Sequence, residues 1–303
     1  MTGTQTDRPA GRARGLPVID TRLPVALCIA VALLAAQGRD AIAAEPVAAV
    51  DDGTARTAAF IVPAEDSIPT GPMGEAIRYG RNLLTQTRVY AMQYVGNGLN
   101  CTSCHLDGGR TPYASPWVGI WGVFPEYRSR NAQVNLLQDR INDCFERSMN
   151  GRALPPDGAE MRGILAYMWW LSKGVPTGLP VKGRGFQRIE PQRLPDPTKG
   201  QEIFVAKCAA CHGSDGQGMT GPNGEYMFPA LWGPKSFNIG AGMARLNTAA
   251  AFVKANMPLG QGNTLTDQEA FDVAAYFTQQ PRPDFADKHK DWPKGGKPPD
   301  ARY

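Results

Sequence analysis

Only three of the 303 residues are histidine, His105, His212 and His289, and only six are cysteine, Cys28, Cys101, Cys104, Cys144, Cys208 and Cys211. Outside two short runs described below, no paired Cys or His ligands remain for a structural zinc site. Neither sign of charge is in excess. With 32 Lys and Arg against 28 Asp and Glu, the formal net charge is +4, and nothing favours nucleic-acid binding through phosphate neutralisation. Long apolar runs are also missing: the apolar stretch 23–36 is shorter than the about 20 residues that a transmembrane helix needs, so no stable membrane insertion is expected.

That stretch reads as the core of a secretory signal instead. Arg8, Arg12, Arg14 and Arg22 precede it, and the small residues Ala41 and Ala43 follow, predicting a cleaved signal peptide over 1–43 and a periplasmic protein. Cys28 leaves with the signal, as filler.

What the chain does have is the pair of runs Cys101-Thr102-Ser103-Cys104-His105 and Cys208-Ala209-Ala210-Cys211-His212. Two thiols at this spacing can form thioethers to the two vinyl groups of one haem, while the adjacent imidazole turns to the iron. Two covalently bound haem c groups are expected, with Cys101, Cys104, Cys208 and Cys211 as attachment points and His105 and His212 as proximal ligands.

Around each run the pattern suggests a class I cytochrome c unit, so the expected fold is mainly α, two such domains in tandem. In the first, an amphipathic helix over 74–85 leads to the haem motif and an aromatic helix over 160–173 closes the unit. In the second, a helix over 200–207 runs into the motif and one over 266–279 closes it. There Thr266 is the cap, Glu269 completes a capping box, and Pro281 ends the helix. The Pro- and Gly-rich stretch between cannot continue a helix and reads as linker. The expected domains are 44–175 and 197–281, with a linker at 176–196 and a tail at 282–303. Trp117, Trp121 and Trp232 are expected to pack against haem or core. Lys288, Lys290, Lys294 and Lys297 in the tail read as a solvated face.

With two histidines committed as proximal ligands, bis-His ligation of both haems is impossible. His289, in a polar tail, reads as solvated. For the second haem the expected distal ligand is Met257, which precedes the last helix as in mono-haem class I cytochromes; Met219, Met227 and Met243 are its competitors. For the first haem, Arg140, Cys144 and Ser148 recur every fourth residue and share one face if the segment is helical. One reading is a surface Arg and Ser flanking an inert buried Cys. The other is that Cys144, next to Arg140, is a thiolate ligand to iron.

The order of these features, with Arg130, the segment 140–148, Asn256-Met257-Pro258 and the tail Trp292-Pro293-Lys294-Gly295-Gly296-Lys297-Pro298, resembles the dihaem thiosulfate dehydrogenases that form tetrathionate. The resemblance covers nearly the whole mature chain and is most specific around 140–151. It implies a catalytic first haem ligated by His105 and Cys144, a substrate pocket lined by Arg130, Arg140 and Ser148, and an electron-transfer haem ligated by His212 and Met257. Some members use a lysine immediately before that methionine; Asn256 stands here, so stable His/Met ligation is expected. The implied partners are thiosulfate, tetrathionate and an external acceptor such as a small cytochrome c. Thiosulfate oxidation is the favoured direction, the same site being able to reduce tetrathionate. Two readings of other classes stand beside this one: a Sox-type carrier that conjugates thiosulfate to a partner cysteine, and an electron-transfer cytochrome without substrate.

Overall fold

Two helix pairs built on the same plan organise the chain. In a computed structural model, which describes residues 57–222 and 226–303, the first pair is Pro72–Thr85 against Ala159–Leu171 and the second is Pro197–Lys207 against Asp267–Gln279. The expected signal segment 1–43, with Cys28, lies outside the described residues. Among the described residues no helix is long and apolar enough to cross a membrane.

Local chemistry sets where these helices start. Pro72 and Pro197 each occupy a first-turn position, where a missing N–H costs nothing. The Asp196 carboxylate accepts from the Thr198 and Lys199 amides at 2.9 and 3.3 Å. The expected capping box is present: Thr266 Oγ1 accepts from the Glu269 amide at 3.1 Å, and the Glu269 carboxylate accepts from the Thr266 amide at 2.7 Å.

Each pair crosses at a glycine. A Cβ on Gly80 would lie 1.9 Å from the Gly163 carbonyl oxygen, and one on Gly200 would lie 2.0 Å from the Asp272 carbonyl oxygen. Backbones that close leave no room for a side chain. Ile77, Leu83, Ile164, Tyr167 and Trp170 fill the first core; Phe204, Val253, Leu265, Phe271 and Phe277 fill the second. Strands are few: Glu126–Arg128 pairs antiparallel with Gln133–Asn135, and Met219–Thr220 with Tyr226–Phe228.

The segment 140–148, whose every-fourth-residue face requires a regular helix, changes pitch midway. Leu137–Asp143 is α-helical and Cys144–Ser148 is one π-helical turn. The linker is ordered too: Val181 pairs with Ala58 and packs with Val118. In the tail, Ala286–Lys290 forms a short 3-10 helix and Trp292 is buried.

Candidate active site

The imidazole of His105 is fixed from behind. Its Nδ1–H donates to the Ser115 carbonyl at 2.6 Å and its ring stacks on Trp117 at 4.7 Å, which leaves Nε2 as the free lone pair. Burial pushes this imidazole down to about 4, so it is neutral, as an iron ligand must be. Burial likewise pushes the Cys101 and Cys104 thiols up to about 12.

Across the same narrow apolar cavity lies Cys144. Leu84, Leu99, Trp117, Ile141, Phe145 and Met168 share the lining with Cys101, Cys104, His105 and Cys144. Arg140 Nη1 donates to Cys144 Sγ at 2.7 Å, which sets a guanidinium charge against the sulfur. The nearby Cys144 sulfur in turn holds the Arg140 guanidinium above its ordinary range, against the cost of burial.

The π turn that presents Cys144 exists because distant groups satisfy its displaced carbonyls. The Met149 amide donates to the Cys144 carbonyl at 2.9 Å, five residues back. Asn97 Nδ2 donates to the Ser148 carbonyl at 2.8 Å, Asn238 Nδ2 to the Glu146 carbonyl at 2.9 Å, and the Asn238 amide to the Arg147 carbonyl at 3.2 Å. Asn238 belongs to the second half of the chain. The turn that bears Cys144 is therefore held by both halves.

A wider cavity of about 460 Å³ opens onto these groups. It is lined by Cys104, His105, Cys144 and Ser148 together with the guanidinium groups of Arg128, Arg130, Arg140, Arg147 and Arg245. All four residues expected at the substrate site, Cys144, Arg130, Arg140 and Ser148, are thus brought together. Arg130 Nη1 donates to the Gly240 carbonyl at 2.9 Å, Nε lies 3.2 Å from Asp291, and the guanidinium stacks 4.9 Å over Trp292. Sequence reasoning missed Arg128, Arg147 and Arg245. The alternation Arg128-Ser129-Arg130 was an available signal for the first; Arg245, from the second half, carried none.

The second cavity, of about 270 Å³, is lined by Cys208, Cys211, His212 and Met257 with Phe252 and Phe277 among its apolar walls. His212 Nδ1–H donates to the Pro229 carbonyl at 2.9 Å, again freeing Nε2, and burial lowers this imidazole. Met257 packs against the second core. Of its competitors, Met227 and Met243 also line the cavity, although Met227 is 61% exposed; Met219 does not. His289 is exposed. Among the described residues no cluster of three or more His, Cys, Asp or Glu could hold a free metal ion. Neutral imidazoles with one nitrogen anchored, paired thiols at their side and apolar walls fit haem c at both cavities.

Paired opening and closing helices around a Cys-x-x-Cys-His run define two cytochrome c domains in tandem. Matching family profiles agree: residues 197–281 match cytochrome c, and 87–177 match the SoxA/TsdA cytochrome c domain. Curated relatives include the thiosulfate dehydrogenase of Allochromatium vinosum, 46% identical over 270 residues that cover 88% of this chain and 97% of that protein. The thiosulfate dehydrogenase of Psychrobacter arcticus is also 46% identical, over 80% of this chain and 74% of that protein. A solved structure of thiosulfate dehydrogenase (TsdBA) from Marichromatium purpuratum aligns with a TM-score of 0.71 at 42% identity, covering 74% of this chain and half, 50%, of that one. The chain belongs to the thiosulfate dehydrogenase family, enzymes that carry covalently bound haem c.

Proposed function

We propose that this enzyme joins two thiosulfate ions into tetrathionate, in the periplasm after removal of 1–43, using domains 44–175 and 197–281 connected by 176–196 and followed by the tail 282–303. His105 and Cys144 would hold the haem iron at the first site, and His212 and Met257 at the second. The observation that carries this reading is the 2.7 Å contact of Arg140 with Cys144 Sγ inside an arginine-lined cavity shared with His105.

The physical problem is repulsion: two dianions must meet through their outer sulfurs. Arg130 and Arg140 offset that repulsion by charge-assisted hydrogen bonds to sulfonate oxygens, and Ser148 adds a hydroxyl donor. Reacting as the thiolate beside the Arg140 guanidinium, Cys144 bonds the outer sulfur of the first thiosulfate, and forming that S–S bond releases two electrons. The second thiosulfate then attacks the same sulfur, breaking the bond to Cys144; tetrathionate leaves and the thiolate is restored. Haem c bound at the two sites would supply one-electron acceptors for this pair, with an external acceptor such as a small cytochrome c beyond them.

The test is anaerobic turnover of the oxidised holoprotein with thiosulfate and excess ferricyanide, with the product assayed. One tetrathionate per two ferricyanide reduced is expected. Intact, chemically reducible haems without turnover would reject the reading and favour a sulfur carrier or a substrate-free electron carrier.

A further inference from the structure

Arg130 and Arg147 line the active cavity from different segments, one in the turn between two short strands and the other on the π turn that carries Cys144. Both meet one carboxylate. Arg147 Nη1 and Nη2 each donate at 2.8 Å to the two oxygens of Asp291, and Arg130 Nε lies 3.2 Å from the same group. The Tyr303 hydroxyl donates to it as well, while its ring packs on Trp292 at 5.6 Å. The Asp291 side chain is 3% exposed. The Trp292 amide donates to the Arg130 carbonyl at 2.6 Å, so backbone and side chain of the tail grip the same residue.

We propose that Asp291 is a positioning residue for thiosulfate coupling, holding Arg130 and the Cys144 turn at a fixed separation. This rests on the function proposed above. Two neighbouring guanidinium groups repel, and in a half-buried setting that repulsion would spread them. A shared, buried, bidentate carboxylate reverses the sign of the interaction. Together with Asp143, 3.4 Å from Arg147 Nε, the Phe285 ring 4.2 Å from that guanidinium and the Gly240 carbonyl on Arg130, it orients each guanidinium before substrate arrives. Sulfur-to-sulfur bond formation is sensitive to such placement, since both thiosulfates must be held end to end at Cys144.

Asp291→Asn keeps the shape and removes the charge. In the holoprotein, kcat is expected to fall about tenfold with KM changed less than threefold, because losing a negative charge beside the anions offsets a looser grip. In an Arg130→Gln background the same change should cost at most a third of that factor, since one of its targets is gone. Equal factors in both backgrounds, or an unchanged kcat, overturn the proposal. Tyr303→Phe, which keeps the carboxylate, should show a smaller loss in the same direction and serves if Asp291→Asn does not fold. Alkylation of Cys144 by iodoacetamide reads the turn without turnover and should speed at least fivefold in Asp291→Asn; an unchanged rate overturns the positioning role whatever the substrate. A wild-type protein inactive with thiosulfate would count against the functional reading alone.

Discussion

At the scale of single residues, the proposed reaction turns on one sulfur and its arginine. Cys144→Ala is expected to abolish thiosulfate turnover while both haems stay attached, because the attachment cysteines and histidines are separate residues; a pyridine haemochrome assay with the ferricyanide assay checks both halves. Arg140→Lys keeps the charge but loses the planar fork, so kcat/KM should fall about twentyfold, or about 1.8 kcal/mol. Retained activity in either variant would remove that residue from the mechanism. That Cys144 deserved notice was legible because it is the odd cysteine and histidine is too scarce to supply the distal ligands; the structure places it with Arg140 in one cavity. Arg147 was harder to see: its partner Asp291 lies 144 positions away, and no local pattern announces an ion pair of that range.

At the scale of elements, the start of the closing helix was readable from its cap Thr266, whose chemistry is local, whereas the starts expected at 74 and 200 lie inside helices that begin at Pro72 and Pro197. The π turn was not readable. An α and a π turn differ by one residue in the hydrogen-bond step, and the choice here falls to Asn97 and Asn238, which satisfy the displaced carbonyls from far along the chain. The glycine crossings, hidden in the same way, lead to a direct expectation. Gly80→Ala and Gly200→Ala place a methyl inside a backbone carbonyl contact, forcing the helices apart at a cost of about 2–3 kcal/mol. Thermal unfolding of each variant should drop by about 5–10 °C; an unchanged midpoint would show that the crossing yields freely.

The last helix also sets a limit in acid. Burial alone would raise the Asp272 carboxyl, yet hydrogen bonds from Arg193, the Asp196 amide and Gln268 outweigh it and hold the group below the usual carboxylate range. The Thr266 amide, chiefly, does the same for Glu269. Groups lowered on folding stabilise the protein above their unfolded value, about pH 4, and that contribution is lost as pH falls through the folded value. Denaturant midpoints should therefore fall steeply below about pH 4. Asp272→Asn should lose about 2 kcal/mol at neutral pH and show a shallower acid limb. Parallel limbs for variant and wild type would contradict this account.

At the scale of the whole molecule, the tandem plan was visible in the repeated motifs, and the fold follows it. What the repeat concealed is how far the halves interpenetrate. Arg245 and Thr248 reach the first cavity from the second half, Met243 borders both cavities, and Asn238 secures the turn bearing Cys144. Two domains that look like beads on a string thus share a wall. Such a wall restricts how the gene can be recombined. A chimera that joins the first domain to an unrelated cytochrome would inherit its haem motif, its odd cysteine and its arginines, yet lack the segment 236–248 that completes their enclosure. The two halves are therefore bound to change together, and the unit that can be exchanged between proteins is the pair.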